Sequence, residues 1–139
     1  MADLGIFDRT TVLLGKVLDL RQQNQQVIAS NIAHSVTPGY APAKMSFEGD
    51  LKQALERQGT RISATHPGHI PLAGGAGALE QVQGRITRTP DQTGAGDRNG
   101  VRLDQEMLGL AENQLLYEAA SQMLSKKLGQ MKYVAGDGR

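Results

Sequence analysis

The chain has 139 residues, one domain by length, and its 15 Lys and Arg against 14 Asp and Glu leave a formal charge of +1. That balance gives no broad basic field for nucleic acid and no polybasic patch for an anionic membrane, and no direct membrane insertion is expected. Cysteine is absent, which excludes disulfides and cysteine-ligated metal sites, and with 39% hydrophobic and 4% aromatic residues a large central core is not expected.

The N-terminal residues lack a basic n-region, and Asp8, Arg9, Lys16 and Asp19 interrupt their apolar pattern. Neither a Sec-type signal peptide nor a membrane span is expected there. A helix is predicted over 7–35. Asp8 is a suitable N-cap, and Phe7 before it is placed to staple onto Val12. Leu13, Val17, Leu20, Asn24, Val27, Asn31 and His34 then recur at alternating spacings of four and three. This stripe is narrow, the kind that buries against another helix. Polar residues from Arg21 to Gln26 interrupt it, and a polar residue on such a seam fixes register at some cost in stability. The pattern stops before Thr37-Pro38-Gly39-Tyr40, where Pro38 drives Thr37 out of helical geometry and Gly39 permits positive φ.

A turn and short helix are predicted over 36–58, with Phe47, Leu51 and Leu55 at helical spacing. Residues 59–100 are dense in Gly and Pro, opposing helix and strand interiors, and read as a flexible middle segment with a hint of strand between Glu80 and Thr89. The final helix is predicted over 101–135. Leu103, Met107, Leu110, Gln114, Tyr117, Ser121, Leu124, Leu128 and Met131 follow the same alternation. Asp104 and Glu106 open it and Lys126, Lys127 and Lys132 close it, matching the helix dipole. Gly15, Gly109 and Gly129 lie inside helices, as tolerated substitutions or as points of close helix approach.

The expected fold is mainly α: an elongated, coiled-coil-like antiparallel pair of terminal helices with an irregular Gly/Pro-rich middle, in a single domain over 1–139. The assembly seam is expected at Leu13, Val17, Leu20, Val27, Leu103, Met107, Leu110, Tyr117, Leu124, Leu128 and Met131.

Catalytic constellations are weak. His66 and His69 have metal-ligand spacing, but Pro67 and Gly68 force a turn between them and no carboxylate pattern accompanies them. The glycines from Gly94 to Gly100 lack the Lys-Ser/Thr and the spacing of a phosphate loop. Ser30, Ser35 and Ser125 lack a nucleophile-elbow setting. No enzyme activity, catalytic residue, metal or cofactor is expected.

The segment Ala29-Ser30-Asn31-Ile32-Ala33-His34-Ser35-Val36-Thr37-Pro38-Gly39-Tyr40 resembles the N-terminal signature of the bacterial flagellar rod and hook protein family, with Asn31, Thr37, Pro38, Gly39 and Tyr40 as its turn motif. Thr65 to Ile70, Asn99 to Met107, Ala111 to Tyr117 and Leu124 to Leu128 are similar to the short proximal rod members of that family. Arg102 stands where those members carry Asp, which takes away the expected side-chain cap of the last helix.

The resemblance implies a structural subunit of the basal-body rod, exported by the flagellar type III apparatus without a cleaved signal and resident in the periplasmic rod. It implies self-association in a helical array, with FlgC-like rod subunits and a FliE-like MS-ring adaptor as neighbours. The alternatives are another rod protein such as an FlgC-like subunit, a soluble helical adaptor or secretion chaperone, and a metal enzyme using His66 and His69.

Overall fold

Residues 8–59, 79–90 and 96–136 are described by the computed structural model. In chain order the elements are α1 (Arg9–Ala33), β1 (Ala43–Ser46), α2 (Glu48–Gly59), β2 (Arg85–Arg88) and α3 (Leu103–Gly136). The fold is mainly helical, with α1 and α3 packed along each other. Their antiparallel sense follows from three side-chain pairs: Asp8 with Lys127, Asn24 with Asn113, and Asn31 with Glu106. At 34 residues, α3 is about 51 Å long. None of the described helices is long and apolar enough to cross a membrane.

Helix α1 begins as its first turn requires: the Asp8 carbonyl accepts the amides of Thr11 and Val12 at 2.8 and 3.2 Å. The Asp8 side chain makes no cap bond. It reaches Lys127 Nζ on α3 at 2.9 Å instead, so the residue expected to cap α1 ties the two helices together. Phe7, its expected staple partner, lies outside the described residues. Helix α3 opens with the Arg102 carbonyl accepting from Gln105 and Glu106 at 2.9 and 3.0 Å. The Arg102 side chain has only donors, so it cannot supply the cap an Asp would give.

The two strands form an antiparallel pair with Ala43 opposite Arg88 and Met45 opposite Ile86. Ala43 and Met45 face inward, while β2 is exposed along its length. Leu20, Met45, Phe47, Ala54, Leu79 and Val82 form the hydrophobic core, with Leu13, Val27, Leu51 and Leu55 packed against it. This core lies between α1, β1, α2 and the turn at Leu79–Val82. Helix α3 supplies no residue to this cluster and packs along α1 beside it.

The stretch from 59 to 100, read from composition as flexible, thus carries β2 and two core residues. Average Gly and Pro content conceals isolated apolar anchors such as Leu79 and Val82. Their turn is closed by the Val82 amide on the Leu79 carbonyl at 3.3 Å. Gly84 follows, and a Cβ there would overlap Met45 Cε, so the core methionine occupies the space a side chain would need. Among the described residues a Cβ added at Gly15 or Gly129 would meet nothing within 4 Å, and one at Gly109 only Ile28 Cδ1 at 3.9 Å. His66, His69 and the Gly74–Gly77 cluster lie outside the described residues.

Candidate functional site

Three features of the paired helices stand out: a clamp at the end of α1, a polar ladder between α1 and α3, and an apolar surface on the far side of α3.

The clamp is built by the turn after α1. The Tyr40 amide bonds the Thr37 carbonyl at 3.3 Å, with Pro38 and Gly39 as the central residues and Gly39 at φ +71°. Pro followed by a positive-φ Gly is a type II turn. It folds Tyr40 back so that its ring stacks on His34, centroids 4.6 Å apart. The His34 Nδ1 lies 3.2 Å from Thr37 Oγ1. From the other end of the chain, the Asn99 side-chain amide donates to the carbonyls of His34, Ser35 and Thr37 at 2.8 to 2.9 Å. Its own Oδ1 accepts the Val101 amide at 2.8 Å. Two backbone bonds, Gly39 N to Asp97 O and Gly100 N to Tyr40 O, finish the join. The carbonyls that a helix C-terminus leaves without partners are thereby satisfied by the approach to α3.

Asn31 is the hub next to this turn. It is 1% exposed. Its Nδ2 donates to the Ala43 carbonyl at 2.7 Å and its Oδ1 accepts the Ala43 amide at 2.9 Å. The side-chain amide therefore pairs with β1 as a neighbouring strand residue would, closing that buried edge. Nδ2 also reaches Glu106 Oε2 at 3.1 Å, and Tyr40 OH donates to Oδ1 at 3.4 Å. One carboxamide joins α1, β1, the turn and α3.

Farther along, Asn24 Nδ2 donates to Asn113 Oδ1 at 3.1 Å, and Asn113 Nδ2 donates to the Arg21 carbonyl at 2.9 Å. Arg21 sits over the Phe47 ring, 5.0 Å from its centroid, and pairs with Glu48 at 3.4 Å. An open groove of about 470 Å³ runs beside this ladder between α1, β1 and α3, carrying Arg21, Lys44 and Arg102 with Glu48, Glu106 and Glu112. At the far end of the pair, Lys127 holds the Asp8 carboxyl below the usual carboxylate range by hydrogen bonding and by its charge. Among the described residues no three His, Asp or Glu gather as a metal-ligand set.

The expected seam residues divide into three groups. Leu20 is buried in the intrachain core, with Leu13 and Val27 packed against it and Val17 half-buried. Leu110, Tyr117, Leu124 and Met131 are half-buried on the face of α3 that carries Asn113 and Ala120. Leu103, Met107 and Leu128 are exposed. The face turned to α1 thus runs Glu106, Leu110, Asn113, Tyr117, Ala120, Leu124, Lys127 and Met131. It shares one row with the expected repeat and replaces the other by its neighbour. A 4-3 pattern leaves that choice open, and the small Ala120 and hydrogen-bonding Asn113 fit beneath α1 where bulkier residues would not.

Sequence reasoning gave no role to Asn99 or Asn113. Asn99 sat in a Gly-rich stretch, and Asn113 lay one residue from the expected seam at Gln114. The available signal was a second polar residue matching Asn24 across an antiparallel pair.

No family profile matches the chain. Curated relatives do. The chain is 34% identical over 128 residues to the flagellar basal body rod protein FlgB of Escherichia coli K12, covering 88% of this chain and 90% of the relative. It is 30% identical over 132 residues to FlgB of Aeromonas hydrophila, covering 94% and 96%. The FlgB of Borrelia hermsii is 29% identical over 116 residues, covering 82% and 86%. With such identity over almost its full length, and with the turn motif closed as described, this chain belongs to the FlgB family of flagellar basal body rod proteins.

Proposed function

We infer that this chain is a structural subunit of the flagellar basal body rod, assembling through its terminal helices and performing no catalysis. The observation that carries this reading is the near full-length relationship to proteins bearing that name. The geometry supports it. The clamp and the ladder fix α1 against α3 from within, while large apolar side chains remain on the outside of α3. Those side chains are left for neighbours, and an open, non-closing contact between neighbours builds a shaft. On this reading the further partners are FlgC-like rod subunits, a FliE-like adaptor and the flagellar export apparatus, and the site of action is the periplasmic rod.

Deletion of the gene tests it. The expected result is loss of rods and of swimming in soft agar, with both restored by the chain supplied in trans. Intact rods in the deletion strain would refute the function.

A further inference from the structure

Four asparagines occur in the chain, and only Asn99 is followed by glycine. In that pair an asparagine side chain is open to attack by its own backbone. The next residue's amide nitrogen loses its proton and adds to the side-chain carbonyl carbon. A five-membered succinimide forms as the carbon–nitrogen bond of the side-chain amide breaks, and ammonia leaves. Water then opens the ring at either carbonyl, giving aspartate or isoaspartate. Glycine hinders the closure least, because it has no Cβ and its backbone turns freely.

The fold engages the atoms this reaction uses. The leaving nitrogen, Asn99 Nδ2, donates to the carbonyls of His34, Ser35 and Thr37 at 2.8 to 2.9 Å. The attacking nitrogen, that of Gly100, donates its hydrogen to the Tyr40 carbonyl at 3.1 Å. Asn99 Oδ1 accepts the Val101 amide at 2.8 Å, an Asx turn that fixes the side chain. Asn99's own amide is held by Asp97 Oδ1 at 3.1 Å. Taken alone, the Val101 bond would assist attack by polarising the carbonyl. It cannot do so while the Gly100 nitrogen keeps its proton on Tyr40 and faces away from the carbon it must reach. Asn99 is half-buried, so these bonds, rather than exclusion of water, hold the reaction back.

We propose that Asn99-Gly100 is a deamidation site guarded by folding, and that its conversion disables the clamp between the end of α1 and the approach to α3. The inference goes beyond the rod reading and does not depend on it. Aspartate at this position sets a carboxylate oxygen where Nδ2 stands, against three carbonyl oxygens that require a donor. It also adds a negative charge beside Asp97. Isoaspartate lengthens the main chain by a carbon and moves Gly100 out of register with Tyr40. The folded and converted states therefore oppose each other. A chain that folds promptly keeps its asparagine, whereas a chain left unfolded is marked for good, since the ammonia is lost.

The full chain is incubated in mildly alkaline buffer, native and in guanidinium chloride. Trypsin cuts after Arg98 and Arg102, releasing position 99 in a short peptide whose three forms separate by chromatography and are identified by mass spectrometry. A clamp that is open less than a tenth of the time slows conversion about tenfold or more relative to denaturant. Gly100→Ala should slow the reaction severalfold in denaturant, where only the added Cβ matters. Asn99→Asp should lower the denaturant midpoint of the full chain and cut its incorporation into basal bodies severalfold.

The proposal is overturned if position 99 converts as fast in native buffer as in denaturant, or does not convert in denaturant. It is also overturned if Asn99→Asp leaves the midpoint and incorporation at native levels. In all these outcomes the rod function stands. Intact rods in the deletion strain would remove that function and leave the guarded site in place.

Discussion

Replacing Asn31 by Ala removes a buried hydrogen-bonding hub that joins α1, β1 and α3. The carboxamide satisfies both the amide and the carbonyl of Ala43, at 2.9 and 2.7 Å, in a place water does not reach. Each buried backbone group left without a partner costs about 1–3 kcal/mol. Partial water entry lowers the sum, and the lost Glu106 contact is half-exposed, so the net destabilisation is about 2–4 kcal/mol. Against a total of about 5–15 kcal/mol for a domain of this kind, that is a large fraction. Urea unfolding of the purified chain, followed by far-UV circular dichroism, measures it. The midpoint should fall by about 1–2 M with an unchanged slope. Asn31→Asp should do at least as much harm at neutral pH, since it keeps the acceptor for the Ala43 amide, loses the donor, and places a second carboxylate beside Glu106. A loss below about 0.5 kcal/mol for Asn31→Ala would show that β1 does not depend on this amide, and the strand-mimic argument would fail.

Gly39→Val puts a β-branched residue at φ +71°, where it costs at least about 1–2 kcal/mol and unseats Tyr40 from His34. Rod assembly should be impaired and swimming halos should shrink, whereas normal motility would remove the turn from the mechanism. Gly84→Ala drives a methyl into the Met45 terminus and should destabilise by about 1–3 kcal/mol. Combining it with Met45→Ala should give less than the sum of the two losses, and strict additivity in a double-mutant cycle would refute the overlap. Because Lys127 lowers the Asp8 carboxyl from its ordinary value of 3.8, that pair contributes stability above this pH, which fades as the pH falls below it through the folded-state value. Lys127→Met should raise the Asp8 value, read by NMR titration of its carboxyl carbon, and flatten the acid limb of the stability profile. High salt should weaken the pair as well.

The mainly helical class, the two terminal helices, the turn between Thr37 and Tyr40 and the family were all legible in the residues. Each rests on local or periodic information: apolar spacing for the helices, a Pro-Gly pair for the turn, a run of matched positions for the family. The side-chain cap from Asp8 was a local reading that failed, because Lys127 arrives from far along the chain and offers a charged partner. Strand β1 was not anticipated, since Ala43–Ser46 is short and its buried edge is completed by Asn31 on a helix. The anchors Leu79 and Val82 were hidden by the glycines around them.

Sequence by itself determined that two long amphipathic helices exist, where the first one ends, and that neither carries enough apolar surface for an ordinary core. Only the folded arrangement decided which row of α3 turns inward. A heptad repeat leaves adjacent rows equivalent until a partner helix selects one. Here Asn24 selected Asn113, and the ridge bearing Leu108, Leu115 and Tyr133 was left facing out. Register between distant segments is set by hydrogen bonds that form only on contact, so no pattern confined to one segment could have fixed it.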